Sequence, residues 1–444
     1  MKIGFFAMSG VRVRDEELLA LGLTLPGFVE RSKVIASLPS LGLLTLAGMS
    51  ASEFELDYRE VDDWMDLDLD QLDHEAVALS SFSAQILETY ALADALRARG
   101  IQVILGGLHV TALPEESMRH ADAVVVGEGE PVWQQVLQDL SRGRLRTLYD
   151  ARPSPFDLRQ SPMPQFDLLD IDRYNRLTVQ THRGCPIGCD FCAASLRISP
   201  VYKVKPVERV MAEIDAIKSI WPHPFIEFAD DNTFVNKQHG RELCRALASR
   251  RVRWFTETDI SVAEDPELLE LMAESGCAQV LIGLESPQTE VLGGIARGGR
   301  WKQRKSRRYL EAIRRIQDHG ITVNGCFILG LDHTGTESFD AIWEFIQESQ
   351  LYEVQLTVMT PFPGTPLYHR LKEAGRLTHD GMWDRCTLFD VNFEPTGMAA
   401  GELRAGLMDL GQRVYSKSFT ETRRRRFVER KRRADRVREL SPAD

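Results

Sequence analysis

Residues 181–195 read THRGCPIGCDFCAAS and place Cys185, Cys189 and Cys192 in a C-x-x-x-C-x-x-C run with no fourth cysteine nearby. Gly184, Pro186 and Gly188 make the segment a tight loop, since glycine accepts backbone angles that other residues avoid and lets a loop wrap a metal centre closely. Three thiolates can hold three irons of a four-iron cluster and leave the fourth iron open to a ligand. Other readings compete. Zinc could take the three cysteines with His182 or a remote cysteine, although structural zinc usually shows paired C-x-x-C elements. Ordinary buried cysteines seldom meet three at a time in one glycine-rich loop. A purely electron-carrying cluster would normally be closed by a fourth cysteine.

Outward from this loop the sequence alternates short apolar runs with amphipathic ones. RLTVQTHRG (176–184), FIEFADDN (225–232), RWFTETDI (253–260), QVLIGLES (279–286), TVNGCFILGL (322–331) and EVQLTVMTPFPG (353–364) are six strand candidates. Helical segments separate them: Val207, Val210, Met211, Ile214 and Ile217 have the spacing of one buried face, as do Leu269, Met272 and Ala273. Six strand–helix units predict a partial barrel, whose chemistry gathers at the C-terminal ends of its strands. Each candidate ends in polar groups: the cysteines, Asp230 and Asp231, Glu257 and Asp259, Glu285, Asp332, and TPFPGTP.

The first 150 residues have the same rhythm. KIGFFAM (2–8), ELDYREVDD (55–63), AVALSSFSA (76–84), QVILGGLHVT (102–111) and AVVVGEGE (123–130) read as strands of a parallel sheet, with helix-like stretches such as LETYALADALRARG (87–100) between them. The proline-rich stretch 150–172 reads as a linker, because each proline removes a backbone donor and disfavours helix before it. The expected units are 1–150, a linker over 151–172, a barrel over 173–365 and a C-terminal extension over 366–444. The long SGVRVRDEELLALGLTLPGFVERSKVIAS (9–37) exceeds a simple βα turn and is expected either to reach toward a substrate or to pack as an accessory helix.

Composition narrows the functional class. The chain has 444 residues, 43% hydrophobic content and seven cysteines, an odd number with none before Cys185, so reduced thiols are expected. MKIGFFAM is interrupted too soon for a signal peptide, and IASLPSLGLLTLAGM (35–49), the nearest approach to a membrane span, contains Pro39 and three serines or threonines. A soluble, cytoplasmic protein is expected. The net charge of −11 argues against wholesale nucleic-acid binding, but from Lys417 to Arg438 eleven Lys/Arg face three acids, a local +8 that leaves −19 elsewhere. That tail reads as a helix that could lie on anionic lipid or stand in solvent. ARGGRWKQRKSRR (296–308) is a second basic run that could meet a carboxylate or an anionic substrate, and reads first as solvated surface.

CPIGCDFC, with Phe191 before the last cysteine, resembles the signature of the radical S-adenosylmethionine superfamily, and the later motifs keep that family's order. The resemblance implies a [4Fe-4S] cluster on Cys185, Cys189 and Cys192. Its open iron would chelate the amino and carboxylate groups of S-adenosylmethionine, and a low-potential electron, from a donor such as flavodoxin or ferredoxin, would cleave it to methionine and a 5′-deoxyadenosyl radical. It further implies that Glu227, Asp230 and Asp231 of EFADDN are candidates for the cofactor's amino group, and that Glu285 of LIGLES meets the ribose hydroxyls, since carboxylates accept from such donors.

The N-terminal phrases LPSLGLLTLAG, LGGLHVTALPEE and ADAVVVGEGE resemble the cobalamin-binding domain of cobalamin-dependent members of that superfamily. A flavodoxin-like sheet binds flat cofactors across its strand ends, where small residues admit a corrin. Ser81, Ser83, Gly106, Gly107, His109, Gly127 and Glu128 sit at such ends. The D-x-H-x-x-G phrase that supplies a histidine to cobalt in other cobalamin proteins is absent. The expected fold is therefore α/β: a flavodoxin/Rossmann-like cobalamin-binding domain, a (β/α)6 partial TIM barrel and a helical C-terminal extension. The expected function is cobalamin-dependent radical methylation of an unactivated carbon on a small-molecule or lipid-like substrate. Cyclisation, rearrangement or oxidation with the same cofactors is the alternative within enzymes, and a non-catalytic iron–sulfur or cobalamin sensor the alternative outside them.

Overall fold

The structure is a computed structural model that describes residues 1–8, 13–20, 30–31, 34–35, 38–50, 53–193, 198–199, 201–293, 295 and 301–440. Most of the 9–37 stretch, and residues 296–300 of the basic run, lie outside the described residues.

The N-terminal sheet has six parallel strands in the order β2-β1-β3-β4-β5-β6, built from β1 (Lys2–Met8), β2 (Glu55–Glu60), β3 (Ala76–Ser81), β4 (Gln102–Gly106), β5 (Ala123–Val126) and β6 (Leu148–Asp150). The strand order turns back beside β1, which opens a crevice at the strand C-terminal ends. Successive residues Phe5 and Phe6 are both fully buried, so both faces are covered, as parallel sheets require. One face packs on α1 (Leu41–Gly48) and α3 (Glu130–Ser141), with Trp133 in its core, and the other on α2 (Ile86–Arg97).

The second sheet runs in strict sequence order, all parallel, through β7 (Leu177–Val179), β8 (Phe225–Phe228), β9 (Arg253–Thr258), β10 (Cys277–Glu285), β11 (Thr322–Leu329) and β12 (Glu353–Val358). These are the six strand candidates. The intervening α4 (Val207–Ile220), α5 (Lys237–Ala248), α6 (Pro266–Glu274), α7 (Trp301–Ser306), α8 (Tyr309–Asp318) and α9 (Glu337–Ser349) form the outer layer. Val210, Met211, Ile214 and Ile217 of α4 are buried as their spacing predicts. α6 starts at Asp265, whose side chain accepts from Leu268 N, with Pro266 at its first position.

The stretch 151–172 connects the sheets, and it is packed: it makes short 3-10 turns and buries Leu158, Phe166 and Leu169. Beyond the last strand, α10 (Pro366–Glu373) packs on the cysteine loop, while α11 (Ala400–Tyr415) and α12 (Lys417–Leu440) pack beside β12, α8 and α9. α12 seats Phe427 and Arg423 against the barrel, with Arg423 donating to the carbonyls of Tyr352 and Val414. The basic tail is therefore a helix with a packed inner face. Among the described residues no helix is long and apolar enough to cross a membrane.

Candidate active site

Two cavities lie at the strand C-terminal ends, and Asp231 lines both. The barrel cavity, of about 360 Å³, has Cys185, Cys189 and Cys192 on one wall with Phe191, faced by Asp231, Glu257, Asp259 and Glu285. The rest is largely apolar, with Leu281, Ile328, Val358, Met359 and Phe362 among its lining.

All three cysteines are half-buried and in no disulfide, and the loop that carries them depends on its glycines. Gly184 has φ +84°, and a Cβ there would come within 2.8 Å of the Val201 carbonyl and 2.9 Å of the Ser199 carbonyl. Asp190 anchors the loop: its side chain lies 2.6 Å from Arg370 of α10, and its carbonyl accepts from Leu367 N. Burial pushes the Cys189 thiol up to about 12, against an opposing pull from Lys302. Among the described residues no three His, Cys, Asp or Glu side chains stand preassembled around an ion. The donor set suits an iron–sulfur cluster nonetheless: three thiols line one cavity together with carboxylates that could meet the ligand of an open iron.

Glu285 ends β10 at a bulge, where the register with β11 shifts between Gly283 and Glu285 and the glutamate takes φ +63°. A bulge re-aims a side chain, and positive φ in a non-glycine residue is strain that packing must sustain. The bulge turns Glu285 into the cavity over Gly283, where a Cβ would come within 2.7 Å of Glu285 Oε1. Lys302 of α7 donates to that oxygen, and both side chains are buried. The solvated reading of the basic run thus fails at Lys302, a residue that sequence reasoning missed: a lysine in a basic stretch carries no mark of burial until its counter-ion is located. Glu257 is exposed to the cavity it lines, and desolvation by the surrounding barrel, then Glu227, Asp231 and Asp230, raise its pKa to about 8.

The structure brings only part of EFADDN to the cavity. Asp231 lines it; Asp230 does not. Asp230 Oδ1 accepts from Thr181 N at 2.8 Å and His182 N at 3.2 Å, while Oδ2 accepts from the hydroxyls of Thr181 and Thr233. With those acceptors engaged, Asp230 is a strut between β8 and the start of the cysteine loop. Glu227 lies a strand layer lower, buried and paired with Arg176, and lines neither cavity. Neither is placed to meet a cofactor's amino group.

The second cavity, of about 340 Å³, lies between the ends of the first sheet and the barrel, and Gly106, Gly107, Gly127 and Glu128 are among its lining residues. Gly107 has φ +110°, and a Cβ there would stand 2.9 Å from Ser80 Oγ. Ser81, Ser83 and His109 are corrections. Side chains alternate across a strand, so Ser80 faces the cavity while Ser81 turns away. Ser83 Oγ bonds His109 Nδ1 at 3.1 Å, and the fully buried His109 packs edge-on to Trp383 with Nε2 3.4 Å from Glu116. His109 is a core residue under the C-terminal segment. Glu128 lines the cavity, but its oxygens accept from Lys203 Nζ, Arg183 Nη1 and Phe156 N. Small residues along one wall fit a flat cofactor that must approach backbone.

Comparison with known proteins agrees with this geometry. Residues 179–346 match the radical SAM superfamily, 32–137 the B12 binding domain, and 365–442 a domain of unknown function (DUF4070). The chain carries a radical S-adenosylmethionine domain and a B12-binding domain. The radical S-adenosylmethionine domain implies a [4Fe-4S] cluster and S-adenosylmethionine, and the B12-binding domain implies cobalamin. The chain is 27% identical over 384 residues to the bacteriochlorophyllide d C-12(1)-methyltransferase of Chlorobaculum tepidum, covering 85% of this chain and 83% of that protein. It is 23% identical over 360 residues to an anaerobic magnesium-protoporphyrin IX monomethyl ester cyclase of Rubrivivax gelatinosus, covering 72% of this chain and 62% of that one. The fold matches the radical S-adenosylmethionine methyltransferase TsrM of Kitasatospora setae, solved with cobalamin and a [4Fe-4S] cluster, at TM-score 0.68 and 15% identity over 98% of this chain and 100% of that one.

Proposed function

We propose that the protein is a cobalamin-dependent radical S-adenosylmethionine methyltransferase that methylates an unactivated carbon of a small, largely apolar substrate. The observation that carries this reading is that the cysteine-lined cavity and the glycine-lined cavity share Asp231, so groups held in the two would face one reaction space.

Cys185, Cys189 and Cys192 would hold the cluster, with Asp231 and Glu285 receiving the amino group and ribose of S-adenosylmethionine. Glu285 Oε2 has no bonded donor among the described residues. Gly106, Gly107 and Gly127, with Ser80, would admit the corrin. Bound there, these groups supply a methyl donor and the means to open a carbon–hydrogen bond that no side-chain base could ionise. The chain's own residues exclude water and orient. Leu281, Ile328, Met359 and Phe362 make an apolar seat, and Glu257, neutral below about pH 8, can donate a hydrogen bond from it. Within this reading the functional units are 1–150, 173–365 and 366–444. A low-potential flavodoxin or ferredoxin is the electron donor, the setting is cytoplasmic, and the outer face of α12 contacts anionic membrane.

The similarity to a magnesium-protoporphyrin ester cyclase favours one second reading, a radical cyclase or oxidase using the same cofactors. Anaerobic reconstitution with iron, sulfide and cobalamin separates them. Methyl transfer requires S-adenosylhomocysteine and 5′-deoxyadenosine to accumulate together with product, whereas a cyclase yields 5′-deoxyadenosine without substrate-dependent S-adenosylhomocysteine. About four irons per chain should bind, lost on Cys185→Ala, Cys189→Ala or Cys192→Ala and retained on Cys244→Ala, Cys277→Ala, Cys326→Ala or Cys386→Ala. One zinc per chain instead would refute the cluster.

A further inference from the structure

Lys302 comes from a helix outside the strand-end motifs, yet its side chain is only 9% exposed, and it lines the cavity that holds Cys185, Cys189 and Cys192. An ammonium buried this far must be paired, and Glu285 is its partner. An ammonium carries three donors, and among the described residues only Glu285 Oε1 takes one. Lys302 and the three cysteines line one cavity of about 360 Å³, so no more than the width of that cavity separates the ammonium from the thiols.

Adding an electron to an iron–sulfur cluster adds negative charge. A cation held nearby in a water-poor cavity stabilises the reduced form more than the oxidised one and raises the reduction potential. We propose that Lys302 is a positioning residue that sets the reduction potential of the cluster at Cys185, Cys189 and Cys192, with Glu285 as the counter-charge that holds the ammonium in place and moderates its field. The electron itself comes from an external low-potential one-electron donor. The bulge at Gly283 and Glu285 then has a second consequence, since it aims the carboxylate that fixes the ammonium.

The inference rests on the cluster assignment proposed above, and its test separates the two. Full-length protein is reconstituted anaerobically without S-adenosylmethionine, its iron is counted, and the cluster is titrated with dithionite under electron paramagnetic resonance for wild type, Lys302→Met, Lys302→Arg and Glu285→Gln. Lys302→Met should lower the midpoint by at least a tenfold change in the one-electron equilibrium, ~59 mV. Glu285→Gln should shift it the opposite way, and Lys302→Arg should stay near wild type. A packing role alone would not give shifts of opposite sign. Midpoints of the Met and Gln variants that both match wild type, or that move in the same direction, overturn the proposal. Should Lys302→Met fail to hold four irons, Glu285→Gln decides by itself, and an unchanged or lowered midpoint there overturns it. A wild-type chain that assembles no cluster removes the cluster assignment instead, and the inference with it.

Discussion

Arg183 Nη1 lies 2.9 Å from Glu128 Oε1, and this contact ties the end of β5 in the first sheet to the cysteine loop of the second. Arg183 also reaches Glu130 at 2.8 Å, and Lys203 closes on Glu128 from the other side. The two cavities are therefore held in register by a half-hidden ion cluster.

Glu128→Ala should destabilise the protein by ~3–5 kcal/mol, because it strands Lys203 out of water and leaves Arg183 with Glu130 alone. Burial by itself would raise the Glu128 pKa, but Lys203, the Phe156 N–H and Arg183 outweigh it and hold the carboxyl below its ordinary value. A depressed carboxyl contributes stability that is complete above the unfolded-state pKa of ~4.3 and is lost as pH falls through the folded value. Melting curves of wild type and Glu128→Gln should differ most near pH 7 and converge toward pH 3. A constant difference across that range would show that Glu128 is not charged in the folded state.

Asp230 and Asp231, adjacent in sequence, should separate cleanly. Asp230→Asn keeps an oxygen for the Thr181 and His182 N–H groups but replaces the acceptor of the Thr181 and Thr233 hydroxyls with a donor, and should lower the melting temperature, with S-adenosylmethionine affinity preserved in whatever protein folds. Asp231→Asn should weaken S-adenosylmethionine binding in the protein that folds. Equal losses of affinity in both would place Asp230 in the site after all. Calorimetry on reconstituted protein gives both readouts.

Much of this was legible in the sequence and some of it was not, for identifiable reasons. The cysteine loop and the six barrel strands announce themselves because thiol spacing and β-branched apolar runs are local signals. β6, three residues at a sheet edge, is too short to show a pattern. Ser80 and Ser81 both sit at a strand end, and only the sense of the pleat says which one faces the cavity. Asp230 and Asp231 differ in the same way. Lys302 is the hardest case: burial of a lysine depends on a carboxylate seventeen positions earlier, turned inward by a bulge that no local preference encodes.

Gly283→Ala tests the bulge without altering a charged group. The added methyl would overlap Glu285 Oε1, the end of a side chain that can swing aside, so the fold should survive and the carboxylate should move. S-adenosylmethionine affinity should then fall in the direction seen for Glu285→Ala, for which loss of charge-assisted hydrogen bonds implies ~1.5–3 kcal/mol. Unchanged affinity in both variants would make Glu285 a structural partner of Lys302 alone.

On α12, Arg425, Arg426, Arg432, Arg433 and Arg436 are exposed and make no ion pair among the described residues, and helical spacing gathers them on one side. Deleting the helix would also strip Arg423 and Phe427 from the barrel, so substitution is the cleaner test. At about 1 kcal/mol per basic residue, the triple change of Arg425, Arg432 and Arg433 to Gln should weaken co-sedimentation with phosphatidylglycerol vesicles on the order of 100-fold. Equal binding by the triple variant, or by wild type to purely phosphatidylcholine vesicles, would exclude an anionic-lipid role.

The central claim is that the two cavities cooperate to move a methyl group onto carbon. Supplying S-adenosylmethionine with a trideuterated methyl group to the fully reconstituted enzyme, and weighing the product by mass spectrometry, tests it most directly. Methyl transfer predicts a product heavier by an intact labelled methyl group, formed together with S-adenosylhomocysteine and 5′-deoxyadenosine. An unlabelled product made at the full rate of 5′-deoxyadenosine release would contradict the account and establish the cyclase or oxidase reading in its place.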